Sequence, residues 1–144
     1  MATFAAIRAG LKTNLATISG LNAYATIPDN PVPPFAVVGA PFGNEYQVNY
    51  GARNGPQGAT EWILPIRVGV GATDSISAQG LLDVYLAASG STSIKAAVEG
   101  KIGAGSKTLG GAADAVRVVK AENYGGFGPG ILGVEFRVEV LSNG

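Results

Sequence analysis

Apolar positions along this chain recur first at helical spacing and then in strict alternation. Phe4, Ile7, Leu11, Leu15 and Ile18 lie three or four apart, which predicts one buried face of a helix of about four turns. Thr3 can cap its start and Gly20 can end it. Leu21 to Ile27 then reads as a short strand. Pro28, Asp29, Asn30 and Pro31 form a turn cluster that predicts a chain reversal into a second strand, Phe35 to Ala40, closed by Pro41. The prolines Pro28, Pro31, Pro33 and Pro34 limit backbone freedom before that strand.

Phe42 to Thr60 has the least regular pattern and reads as a long loop or a projecting hairpin. Tyr46, Val48 and Tyr50 alternate with polar residues, which favours two ribbon-like strands around a tip rich in glycine. A long connection of this kind inside a compact domain points to a binding role. Trp62, Leu64, Ile66, Val68 and Val70 then alternate with Glu61, Ile63, Pro65, Arg67 and Gly69, the pattern of a strand with one buried face. Pro65 argues for an edge position or a bulge. Asp74 can cap a helix that turns Ile76, Leu81, Val84, Tyr85 and Ala88 inward and ends at Gly90. A shorter helix follows over Thr92 to Glu99, with Ser91 as its cap and Ile94, Ala97 and Val98 on one side.

Gly100 to Ala113 reads as a flexible connection. Val116, Val118 and Val119 suggest a strand, and Leu132, Val134, Phe136, Val138 and Val140 alternate with Gly133, Glu135, Arg137 and Glu139 to give the clearest strand in the chain. This order predicts an α+β domain: a mixed, mostly antiparallel sheet with an N-terminal helix and a central helical pair packed on one face. All 144 residues fit one domain.

Composition narrows the chemistry. Ten basic residues balance ten acidic ones and charged residues are only 14% of the chain, so electrostatics names no partner. A surface so poor in charge raises the prospect of self-association. Cysteine and histidine are both absent. That removes disulfides, thiol nucleophiles, serine triads and almost every structural zinc site. The first residues, MATFAAIRAGLKTNLATI, are amphipathic and interrupted by Arg8 and Lys12, which predicts a soluble cytoplasmic product without a signal peptide or membrane span.

Several strings invite a chemical reading. GAGSKT, Gly103 to Thr108, resembles part of a phosphate-binding loop, but Ser106 stands where the glycine before the lysine belongs and no apolar strand precedes it. It reads as a plain loop. YGGFGPG, Tyr124 to Gly130, reads as a long hairpin connection between two strands. Glu135 and Glu139 flank Arg137, the pattern of a solvated or intersubunit ion-pair row rather than of paired catalytic acids. Asp74, Asp83 and Asp114 share no spacing that suits a metal. Lys95, Lys101, Lys107, Arg117 and Lys120 bias the second half toward positive charge, enough for loose contact with nucleic acid and not for sequence reading.

The element order and four strings together resemble the tail terminator proteins of long, non-contractile-tailed bacteriophages of actinobacterial hosts. The strings are ATISGLNAY, IPDNPVPPFAVVGAP, AQGLLDVYLAASGSTSIKAAVEG and GVEFRVEVL. The resemblance spans nearly the whole chain and rests on order, length and the lack of catalytic residues together.

The resemblance implies a structural virion protein, assembled in the host cytoplasm. It would form a hexameric ring on the last ring of the tail tube, end tube growth and offer a surface to the head-tail connector. It implies homo-oligomer, tail tube protein and connector protein as partners, DNA only in transit through the lumen, no membrane, no cofactor and no catalytic residue. Contacts of that family lie in extended loops and strand edges. These match Tyr46, Gln47, Tyr50 and Arg53 in the 42–60 arm and Lys107 in the glycine-rich connection; Glu135, Arg137 and Glu139 join them as interface candidates from the ion-pair row read above. Two alternatives stand beside this one: another neck or tail component, such as a head completion protein or tube subunit, and a small α+β ligand-binding or enzymatic domain.

Overall fold

The computed structural model describes residues 3–26, 28–39, 47–50, 60–71, 75–103, 105–128 and 130–142. In chain order the elements are α1 (Phe4–Leu15), β1 (Asn22–Tyr24), β2 (Phe35–Val38), β3 (Gln47–Asn49), β4 (Thr60–Gly71), α2 (Ser75–Leu86), α3 (Ile94–Val98), a 3-10 turn (Leu109–Gly111), β5 (Ala115–Gly128) and β6 (Ile131–Ser142). The fold is α+β, with a six-stranded, mostly antiparallel sheet in the order β1-β2-β4-β6-β5 and β3 paired to β4.

Alternation along β4 and β6 builds the core. Leu64, Ile66, Val68 and Val70 of β4 and Val134, Phe136, Val138 and Val140 of β6 are buried in one cluster. The same cluster holds Ile7, Leu11 and Leu15 of α1, Ala78, Leu82 and Tyr85 of α2, and Ile94, Ala97 and Val98 of α3. Phe4 adds an edge-on contact to Trp62, with ring centroids 4.9 Å apart. Trp62 in turn donates its indole N–H to Ser142 Oγ at 2.9 Å, across the β4–β6 pair.

Pro65 does not make β4 an edge strand. The strand lies in the interior, with β6 along its whole length on one side and β2 and β3 sharing the other. The Pro65 carbonyl accepts from Gly39 N at 2.9 Å, so its nitrogen also faces that shared side. There β2 pairs with Ile66 to Gly69 and β3 with Glu61 to Ile63, and the missing donor falls in the gap between them. Gly69 has a different cause. It is the register partner of Phe35, and a Cβ on it would come within 2.4 Å of the Phe35 ring.

The chain does not reverse at the proline cluster. β1 and β2 run parallel, so the intervening residues loop back before β2 begins. Asn22 Nδ2 donates to Val32 O, Val32 N donates to the Tyr24 hydroxyl, and Asn22 N donates to Pro34 O, which fasten that loop to β1. The β2 strand ends at Val38, and Ala40 and Pro41 lie outside the described residues. So do Ile27 and most of the arm. Its described parts are β3, Tyr50 and Thr60, the first residue of β4. Gln47 faces Ile63 and Asn49 faces Glu61, an antiparallel pair with the start of β4.

Helix boundaries differ from the sequence expectation in ways that local hydrogen bonds explain. Thr3 caps α1 by accepting from Ala6 N at 3.1 Å. The helix stops at Leu15 because Thr17 Oγ1 and Thr17 N both bond to Asn14 O, a local competitor of the helical ladder. The chain then turns to Gly20, which takes φ +82°. On α2 the buried side is Ala78, Leu82 and Tyr85, while Ile76 and Val84 are exposed and Leu81 is half-buried; Ala88, past the end of the helix, is also exposed. The helix ends at Leu86, before Gly90; Asp74 lies outside the described residues. The cap of α3 is Ser93 rather than Ser91. Its Oγ accepts from Ala96 N at 3.1 Å and donates to Ala87 O, which also ties α3 to the end of α2.

The glycine-rich YGGFGPG tract is mostly strand. β5 continues to Gly128, and only residues 129 and 130 separate it from β6, with Gly130 at φ +71°. Bulges between Val118 and Lys120, between Glu122 and Gly125, with Asn123 at φ +58°, and between Gly126 and Gly128 absorb the extra residues of β5.

Candidate functional site

Two polar constructions stand out against this scaffold. The first is the sheet face opposite the helices, where register brings charges together. Arg67 of β4 is the partner of Glu135 on β6, and Arg117 of β5 the partner of Glu139. Arg67 Nε donates to Glu135 Oε1 at 3.1 Å, and Arg117 donates through Nε and Nη2 to Glu139 Oε1 at 3.1 and 2.9 Å. Arg137 Nη2 lies 3.8 Å from Glu122 Oε1, and Lys120 Nζ 3.1 Å from Glu122 Oε2. Asn123 Nδ2 also donates to Glu135 Oε2. The row expected along β6 is therefore a cross-strand lattice within one chain, and Glu135 is only 5% exposed. Its charges hold β4, β6 and β5 in register.

The second construction lies between α3 and the outer edge of β5. Glu99, directly after α3, is 7% exposed. Lys95 Nζ donates to both its oxygens at 2.8 Å, Lys101 Nζ sits 3.1 Å from Oε1, and Val118 N donates to Oε2 at 3.0 Å. Burial alone pushes the Glu99 carboxyl up. The bonds from Lys95, Val118 and Lys101 outweigh it and hold the group below the usual carboxylate range. Beside it opens a groove of about 460 Å³, lined by Lys95, Glu99, Lys101, Lys107, Asp114 and Arg117 with Ala115 and Val116 of β5.

The floor of this region is the connection from Gly100 to Ala113, which is pinned rather than loose. Asn14, fully buried on α1, donates through Nδ2 to Val98 O at 3.0 Å and Ser106 O at 2.8 Å, and accepts from Ser106 N at 2.8 Å. Ser106 Oγ accepts from Gly110 N at 2.9 Å and Thr108 N at 3.3 Å. The amides of Ser106, Thr108 and Gly110 are thus committed to Asn14 and to the loop's own serine, and that of Gly105 to Ile102 O. Leu109 is buried at φ +53° against α1, where a Cβ on Gly10 would come within 2.6 Å of its own.

The residues expected to meet partners do not form one patch. Glu135, Arg137 and Glu139 belong to the lattice and Lys107 to the groove. Gln47 and Tyr50 are exposed beside β4, and Tyr46 and Arg53 lie outside the described residues. Sequence reading passed over Asn14 and Glu99, the two polar side chains that organise the groove. Asn14 stands in the apolar stripe one turn before Ile18, and Glu99 stands four residues after Lys95; both spacings were available as signals. Among the described residues no three acidic, cysteine or histidine side chains gather as a metal site, and no helix is long and apolar enough to cross a membrane. Comparison with protein-family models and with curated proteins finds no match to this chain.

Proposed function

We propose that this protein is a ring-forming structural subunit of a bacteriophage tail, a terminator that caps the tail tube, ends its polymerisation and joins it to the head. The observation that carries the reading is α2. Its sequence SISAQGLLDVYL has one charged residue, and its outward side leaves Ile76 82% and Val84 43% exposed among Ser77, Gln79 and Asp83. Two large apolar side chains exposed on one helix face offer a contact surface, and a second copy of the chain supplies a cover of matching character. The resemblance in element order and strings supports a ring in particular, with tail tube protein and connector protein on its two faces and DNA passing through the lumen. The arm around 42–60 is the segment assigned to a neighbouring ring.

Electron microscopy with mass measurement of the purified protein at several concentrations tests the assignment. Six-fold rings, alone or at the head-proximal end of tails, are expected; a persistent monomer absent from tails overturns it. Deleting residues 43–58 should leave a folded subunit while giving unjoined heads and tails or overlong tails, and normal virions would remove the arm's role.

A further inference from the structure

We propose that the groove between α3 and β5 binds an extended acidic segment of a partner protein, with one of its carboxylates on the Val116 N–H. This does not depend on the ring assignment. Glu99 already shows the chemistry: one of its oxygens takes an edge amide of β5, Val118 N, and the other takes Lys95 and Lys101. Residues 115–118 pair with β6 in unbroken register, so backbone groups alternate in direction along them. Val118 N points away from β6 toward Glu99, and Val116, two residues earlier, turns its N–H and C=O the same way, into the groove. Around that second amide stand Lys107, which makes no ion pair among the described residues, and Arg117, whose side chain is 70% exposed while it holds Glu139. An incoming carboxylate would repeat at Val116 what Glu99 does at Val118, and the segment's backbone would extend along the open edge.

Charge and geometry favour a peptide over nucleic acid. Four cations line the groove, but Glu99 and Asp114 line it too, and Glu139 stands behind Arg117. A lattice so interleaved gives a weak field for a phosphodiester chain, whose binding depends on many uncompensated cations. A peptide draws in addition on the backbone groups of Val116, which carry no net charge. Asp114 at the groove opposes any acidic ligand.

The test uses fluorescein-labelled Val-Asp-Val-Asp-Val, its Val-Asn-Val-Asn-Val counterpart and a short thymidine oligonucleotide, titrated against the full chain by anisotropy. The acidic peptide is expected to bind best, more weakly as salt rises, and to shift the Val116 amide resonance. Lys107→Glu should weaken it about tenfold, and Val116→Pro roughly fivefold, the worth of one hydrogen bond. Asp114→Asn should tighten it. Thermal melts confirm that each variant folds, and the amide shift in the unaltered protein provides a reading that no substitution can disturb. Equal binding of the two peptides, tighter binding of the oligonucleotide, or an unmoved Val116 amide overturns the proposal. A ring that fails to form leaves these readings intact, whereas absent peptide binding says nothing against the ring.

Discussion

Asn14 is the polar side chain on which the contact between α1 and the glycine-rich connection depends. Its three bonds reach Val98 and Ser106, and removing them leaves buried backbone groups without partners. Asn14→Leu should therefore destabilise the protein by about 2–4 kcal/mol in urea unfolding, although leucine suits both helix and core better. Gly10→Ala sets two effects in opposition. Helix propensity favours alanine by about 1 kcal/mol, but the new methyl would meet Leu109 at 2.6 Å, closer than any real carbon contact. Overpacking should win, with a net loss of about 1–2 kcal/mol. Glu99 makes stability depend on pH. Its carboxyl is held below the ordinary range in the folded chain, so its contribution is complete above the unfolded pKa and disappears as pH falls through the folded one. Urea midpoints measured from neutral to acid pH should fall less steeply for Glu99→Gln than for the unaltered protein, and parallel curves would show that Glu99 carries no such linkage.

Elements were legible in the sequence where one face is buried and one wet, and misjudged where that contrast fails. β6 and β4 alternate cleanly, and their inward residues are those expected. On α2 the apolar Ile76 and Val84 lie on the same side as Ser77, Gln79 and Asp83, a mixed face that blurs the stripe, and Ile76, Val84 and Ala88 were placed inward in error. The structure makes the distinction measurable: in the monomer Leu82→Ala should cost about 2–5 kcal/mol, whereas Ile76→Ala should cost under about 0.5 kcal/mol. Glycine tracts misled for a related reason. Residues 124–128 look like a turn because glycine has little strand preference, yet pairing with β6 holds them in the ladder. Pro65 is disfavoured in an interior strand on the same kind of local statistic, and the handover from β3 to β2 accommodates it. Ser93 and Asn14 depend on partners distant in sequence or on a cap displaced by two residues, which local pattern does not encode. The candidate site was legible only as a scatter of lysines; Glu99, which draws Lys95 and Lys101 together, was not.

At the scale of the whole molecule, helices pack on one sheet face and an ion-pair lattice occupies the other, which leaves the exposed side of α2 as the surface on which the proposed ring can be tested. If α2 is the ring interface, Ile76→Glu should abolish rings in mass measurements while leaving the melting temperature of the monomer nearly unchanged. Persistence of rings in that variant would move the interface elsewhere. The strand order β1-β2-β4-β6-β5 has a further consequence for how the protein is made. β6 is the last of the described elements to leave the ribosome, yet it lies between β4 and β5 rather than at a margin. Until it emerges, β4 has no neighbour on one flank and β5 has none to pair with. Asn14 must likewise wait for Ser106, so α1 is synthesised first and fastened late. The sheet is thus committed to folding only once residues 131–142 have emerged, and a translational stop before residue 131 would remove the middle of the sheet rather than trim its border.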